Sequence, residues 1–113
     1  MLWGDTKLDL KQLQTQVSEW SGRNFPDGEP WEPVMGLAEE VGELSHAFLK
    51  QHQGIRLDED HEAEMKDAVG DVVIYLADVC HRNGMDLADC VTVAWNEVKQ
   101  RDWNKHREEH VGD

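Results

Sequence analysis

The chain has 113 residues, with 24 acidic side chains against 11 basic ones and a formal net charge of −13, which is the size of one domain. A surface this negative repels nucleic-acid phosphates and anionic headgroups, so binding to DNA, RNA or a membrane surface is not expected. The longest mostly apolar run, Val69 to Cys80, is broken by Asp71 and Asp78 and is too short to span a bilayer, and no basic-then-apolar leader opens the chain; the expectation is a cytoplasmic protein.

Apolar residues recur at helical spacing in four blocks, and none alternates with the two-residue period of a half-buried strand. In the first block Leu10, Leu13, Val17 and Trp20 form one stripe, which predicts a helix over 8–21 ending at Ser21-Gly22. Gly22 to Pro33 carries Pro26, Gly28 and Pro30 among polar residues and must be a connection, with Pro33 suited to the first turn of a second helix. That helix presents Val34, Leu37, Val41, Leu44 and Phe48 and fades into the polar stretch around Gly54. A third helix is predicted from His61 to His81, with Met65, Val69, Val72, Leu76 and Val79 on one side. Val73, Ile74 and Tyr75 make its second half apolar on nearly all sides, the pattern of a helix buried between partners. Asn83-Gly84 ends it, Asp86 is placed to cap a fourth helix carrying Leu87, Val91, Ala94, Trp95 and Val98 to about Trp103, and a polar tail follows at 106–113.

Four such helices predict an all-α domain, a four-helix bundle-like protomer, and the apolar third helix points to a dimer. Cys80 and Cys90 fall in apolar surroundings on adjacent helices, where buried, reduced thiols are expected rather than a disulfide framework.

The chemistry-bearing residues are carboxylates. Glu39, Glu40 and Glu43 share one side of the second helix, and with Leu37 set to zero Glu40 falls at about −60° and so borders the apolar stripe. On the third helix Glu64, Asp67, Asp71 and Asp78 lie within a sector of about 60°. An ordinary solvated acidic face accounts for either stripe alone. Asp71 and Asp78, however, sit inside an apolar run, and an unpaired buried carboxylate costs several kcal/mol. The nearby cations are Lys66 and Arg82, so a divalent ion is the natural counter-charge. Oxygen ligands without Cys or His suit Mg²⁺ or Mn²⁺ rather than Zn²⁺.

The segments LDLKQLQTQVSEW, GLAEEVGELSHAF, DAVGDVVIYLADVC and WNEVKQRDW together resemble the MazG-like branch of the all-α nucleoside triphosphate pyrophosphohydrolases, over about Leu8 to Trp103. The family's metal motif is Glu-Glu-x-x-Glu on one helix and Glu-x-x-Asp on the next. Glu39, Glu40, Glu43 and Asp71 match it, whereas the Glu of the second half falls on Ala68. Asp67, the preceding residue, points roughly 100° away and substitutes only through a helix rotation or a bridging water. The resemblance implies Mg²⁺-dependent cleavage of a nucleoside triphosphate between its α- and β-phosphates, with neighbouring subunits of a homodimer or homotetramer completing the site. It also implies Glu40, Glu43 and Asp71 as metal ligands, with Asp67 as the stand-in, and Glu39 as a ligand or, like Glu40, part of the catalytic pair that orients the water. Lys50, Lys99 and Arg101 are candidates for phosphate contact, set against plain surface charge.

Five tryptophans is a high count, and Trp20, Phe25 and Trp31 cluster around the first loop, where one, Trp20 for instance, could stack on a base; core or interface packing is the alternative. His106 to His110 fits H-x-x-E-H formally but lies in a polar tail without an apolar face, which argues against zinc. His46, His52, His61 and His81 lack paired ligand spacing and read as surface residues. No Ser-His-Asp or Cys-His pair and no glycine-rich phosphate loop is present. A module of the same fold that binds nucleotide or protein without turnover is the competing reading.

Overall fold

The computed structural model describes residues 7–54 and 60–101. They form α1 (Leu10–Asn24), α2 (Glu32–Gln53), α3 (His61–Arg82) and α4 (Leu87–Val98), with no strand among the described residues. The tail at 106–113, Trp103 and the His106–His110 pattern lie outside them.

Local signals set most of the boundaries. Asp9 and Gln12 form a reciprocal cap at the start of α1, the Asp9 carboxylate accepting from the Gln12 N–H at 2.8 Å and the Gln12 side chain accepting from the Asp9 N–H at 2.9 Å. Pro33 sits in the first turn of α2, and Asp60 and Asp86 cap α3 and α4 by accepting from Ala63 and Asp89. Two boundaries differ from expectation: α4 stops at Val98 rather than near Trp103, with Lys99 and Gln100 in a turn, and α1 overruns its expected end. Gly22 lies inside α1, which runs on to Asn24, because the terminal carbonyls of Ser21 and Phe25 accept hydrogen bonds from Arg82 of α3. A tertiary contact there outweighs the local preference for a stop.

α3 is the hub. α1 and α2 both pack along it, α4 touches α1 and α3, and α2 packs on neither α1 nor α4. Within one chain the helices therefore do not close into a bundle. α2 and α3 run antiparallel, since Gly36 meets Tyr75 near one end of the pair while Lys50 and Glu64 line the same groove near the other. Gly36 is required at its position, because a Cβ there would run into the Tyr75 ring.

The buried cluster is small. Val17, Ala77, Cys80 and Leu87 form it, with Leu10, Leu13 and Leu76 packed against it. Several stripe positions stay outside: Trp20 is 50% exposed, and Val41, Phe48, Val69, Ile74, Val91 and Trp95 are exposed as well. α1 and α2 together cannot cover the apolar circumference of α3, so part of it faces outward in the single chain. Two further expectations are corrected. Cys90 is exposed while Cys80 is buried, because α4 departs from the core soon after Leu87. His61 is buried rather than on the surface, its ring held along the first turn of α3 beside the Glu64 carboxylate at 3.8 Å. Among the described residues no helix is long and apolar enough to cross a membrane.

Candidate functional site

The antiparallel pairing brings one face of α2, Glu40, Glu43, Ala47 and Lys50, against one face of α3, Glu64, Ala68 and Asp71. Between them lies a cavity of about 340 Å³. Steps of three and four residues on both helices keep these side chains on the facing sides. Ala47 and Ala68, both buried, form the floor, and the longer acidic side chains stand around it. Small residues at the centre make the space; carboxylates at the rim give it its charge.

Glu40 shows the electrostatic consequence. Partial burial pushes its carboxyl above the ordinary value of 4.5, and the negative charges of Asp71, Glu43 and Glu39 push it further in the same direction. A proton, or a cation in its place, is favoured there. The donor set is carboxylate oxygen, the chemistry of a hard divalent ion, and the mutual repulsion that raises the proton affinity of Glu40 is what such an ion relieves. These residues therefore fit Mg²⁺ or Mn²⁺. The site is an open trough rather than a ready-made cage, since among the described residues no three such groups are gathered tightly enough to hold an ion as they stand.

The structure sorts the sequence expectations. Glu40, Glu43, Asp67, Asp71 and Lys50 all line the cavity. Glu39 is exposed and does not line it; its effect there is the charge it adds near Glu40. Asp67 reaches the same cavity as Ala68 with no rotation of α3, because the trough is wide enough to take in both positions. Asp78, expected in the same acidic stripe, lies elsewhere: it pairs with Arg82 at 3.6 Å. Asp71 is exposed toward the cavity rather than buried in apolar surroundings. Lys66 is occupied by Glu62 at 3.1 Å on the outer surface. Lys99 and Arg101 lie beyond the end of α4, which does not pack on α2, and the Arg101 guanidinium meets Glu97 at 3.2 Å, so neither reaches the trough within one chain. Trp20 does not line it either; its ring meets Phe25 edge-on, with centroids 5.6 Å apart.

Two residues at the cavity were not singled out as site residues. Glu64 lies four before Ala68 and seven before Asp71, a spacing that puts it on their face. His46 lies three after Glu43. The spacing signal for Glu64 was in the sequence; what was missing was which face of α3 meets α2.

A second cavity, of about 170 Å³, opens one turn further along the same groove, where Phe25, Tyr75, Asp78 and Arg82 converge. Arg82 closes its outer side: the guanidinium donates to the carbonyls of Gly28 (2.9 Å), Ser21 (3.2 Å) and Phe25 (2.7 Å) and to the Ser21 hydroxyl (2.8 Å). The α1–α2 connection is thereby fastened to the end of α3. No family model, curated protein or solved structure matches the chain.

Proposed function

We propose that the chain is a Mg²⁺- or Mn²⁺-dependent nucleoside triphosphate pyrophosphohydrolase, cleaving between the α- and β-phosphates to give a nucleoside monophosphate and pyrophosphate. The observation that carries this reading is the all-carboxylate trough between α2 and α3, in which Glu40, Glu43 and Asp71 face one space and raise the proton affinity of Glu40. Its agreement with the Glu-Glu-x-x-Glu and x-x-Asp halves of the MazG-like motif supports the assignment.

A divalent ion held by Glu40, Glu43 and Asp71, with Asp67 or Glu64 as a further oxygen donor, supplies the positive charge that lets a polyphosphate enter an acidic site and makes a nearby water more acidic. The rest falls to the chain. Lys50, half-buried in the same wall, offers an ammonium to the phosphates. The water oxygen attacks the α-phosphorus, the bond to the bridging oxygen breaks, pyrophosphate leaves, and a carboxylate of the trough takes the water's proton. The neighbouring cavity one turn along the same groove is lined by Phe25 and Tyr75, two aromatic rings that suit a base. Val41, Phe48, Val69 and Ile74, left exposed on the α2–α3 pair, give a second copy an apolar surface to cover, in keeping with a homodimer or homotetramer.

One observation favours the alternative of a binding module without turnover. Ala68 stands in the cavity floor where the resembled motif has a carboxylate. Pyrophosphate release from a panel of ribo- and deoxynucleoside triphosphates with Mg²⁺ or Mn²⁺, beside Glu40→Gln and Asp71→Asn controls, separates the two. Release of pyrophosphate with monophosphate, lost in both variants, is the expected result; metal binding without release from any nucleotide moves the assignment to the binding module.

A further inference from the structure

The smaller cavity of the α2–α3 groove is rich in acceptors. Tyr75 and Asp78, three residues apart on α3, face it together, and Phe25 walls it from the α1–α2 connection. Arg82, the cation in its wall, turns its terminal nitrogens to the carbonyls of Gly28, Ser21 and Phe25 and to the Ser21 hydroxyl. Asp78 is left half-answered. Its Oδ1 is covered and stands 3.6 Å from the Arg82 Nε, too far for a hydrogen bond, and no described residue donates to the carboxylate. The side chain is still 18% exposed on the cavity it lines, and the covered Oδ1 has no part in that exposure, so Oδ2 is the acceptor left open there. Glu32 brings a second, exposed carboxylate, one oxygen of which already accepts from the Glu29 N–H at 3.2 Å.

We propose that this cavity receives the base of the nucleotide and that Asp78 selects a base with an exocyclic amino group where uracil and hypoxanthine carry a carbonyl, namely cytosine or adenine. The inference rests on the pyrophosphohydrolase reading, which places the phosphates in the carboxylate trough. Asp71 of that trough and Asp78 are seven residues apart on α3, about 10 Å at 1.5 Å per residue, a distance that a nucleotide spans from its α-phosphate to the far edge of its base. The Phe25 and Tyr75 rings offer apolar contact to any base and do not discriminate. The carboxylate does. An amino group donates to Oδ2 in a charge-assisted bond, whereas a carbonyl in the same place sets two acceptors against each other and leaves both unpaired.

The test is calorimetric titration of the full chain, in the presence of Mg²⁺, with the α,β-methylene analogues of two pairs of triphosphates, dCTP with dUTP and ATP with ITP. Within a pair the amino member should bind about 10- to 100-fold more tightly than its carbonyl partner. Asp78→Asn presents an amide N–H as well as an oxygen, so it should weaken the amino member, strengthen the carbonyl member and bring the two within about 3-fold of each other. Glu32→Gln should leave the preference in place. Equal affinity within both pairs, a preference for the carbonyl member, failure of all four analogues to bind, or a preference that survives Asp78→Asn would each overturn the proposal. Hydrolysable dCTP that binds with the preference yet releases no pyrophosphate removes the catalytic reading and leaves the role of Asp78 standing.

Discussion

Replacing Arg82 by alanine tests how the carboxylate-bearing helices are held. The side chain is nearly covered, at 10% exposure, and its guanidinium satisfies the carbonyls of Gly28, Ser21 and Phe25 and the Ser21 hydroxyl while standing 3.6 Å from Asp78. Each charged hydrogen bond contributes about 1.5–3 kcal/mol in isolation. They share one donor group, so they do not add, and water entering the vacated space recovers part of the loss. Removing the cation also strands Asp78, whose Oδ1 is buried without a hydrogen-bond partner. The expected loss is about 3–5 kcal/mol, the range for breaking a covered ion pair by deleting one partner. Arg82→Lys keeps a positive charge for Asp78 but lacks the fork that reaches several acceptors, and should lose about half as much. Asp78→Asn should lose less again, about 1–2 kcal/mol, since 3.6 Å is beyond hydrogen-bond length. Urea unfolding at one fixed protein concentration, followed by far-UV circular dichroism, measures all three. A loss below about 1 kcal/mol for the alanine variant would refute the reasoning, because it would mean that water replaces the guanidinium at every acceptor.

The raised proton affinity of Glu40 gives a pH dependence of known sign. A group whose folded-state pKa lies above its unfolded value stabilises the fold at low pH and loses that contribution as pH rises through the folded value. Glu40→Gln should therefore raise the thermal midpoint at pH 7, and the gain should vanish below the ordinary carboxyl value of 4.5, where both states of the wild type are protonated; a gain that persists in acid would show that charge is not its source. Ala68→Glu adds a carboxylate to the cavity floor and should lower the midpoint without divalent ions while enlarging the upward shift that Mg²⁺ or Mn²⁺ produces, as scanning calorimetry with and without metal will show. Gly36→Ala forces the Tyr75 ring aside and should cost about 1–3 kcal/mol by urea unfolding, and Gly36→Ala combined with Tyr75→Ala should recover part of the packing strain.

The sequence alone determined the helical content, the cap at Asp86, the place of Pro33 in a first turn and the faces that carry acid, because these depend on interactions within a few residues along the chain. Helical spacing also aligned Glu39, Glu40 and Glu43 in one stripe and Glu64, Asp67, Asp71 and Asp78 in another; the choice of Glu40, Glu43 and Asp71 as a set came from the resemblance to the Glu-Glu-x-x-Glu and x-x-Asp pattern. Tertiary structure decided the rest. Whether Asp67 or Ala68 faced α2 depended on the width of the trough, which the small side chains at 47 and 68 set from both sides. Glu64 and Asp78 have equal standing in the acidic stripe, yet they end in different cavities of the same groove, Glu64 with Lys50 and Asp78 beside Arg82. Lys99 and Arg101 carry the same charge as Lys50, but α4 packs on α1 and α3 and not on α2. The extension of α1 past Gly22 likewise follows from a guanidinium some sixty residues further along the chain. Periodicity reports which face of a helix is which; only packing reports what stands opposite it, and the chemistry of this chain lies between two helices rather than on either one.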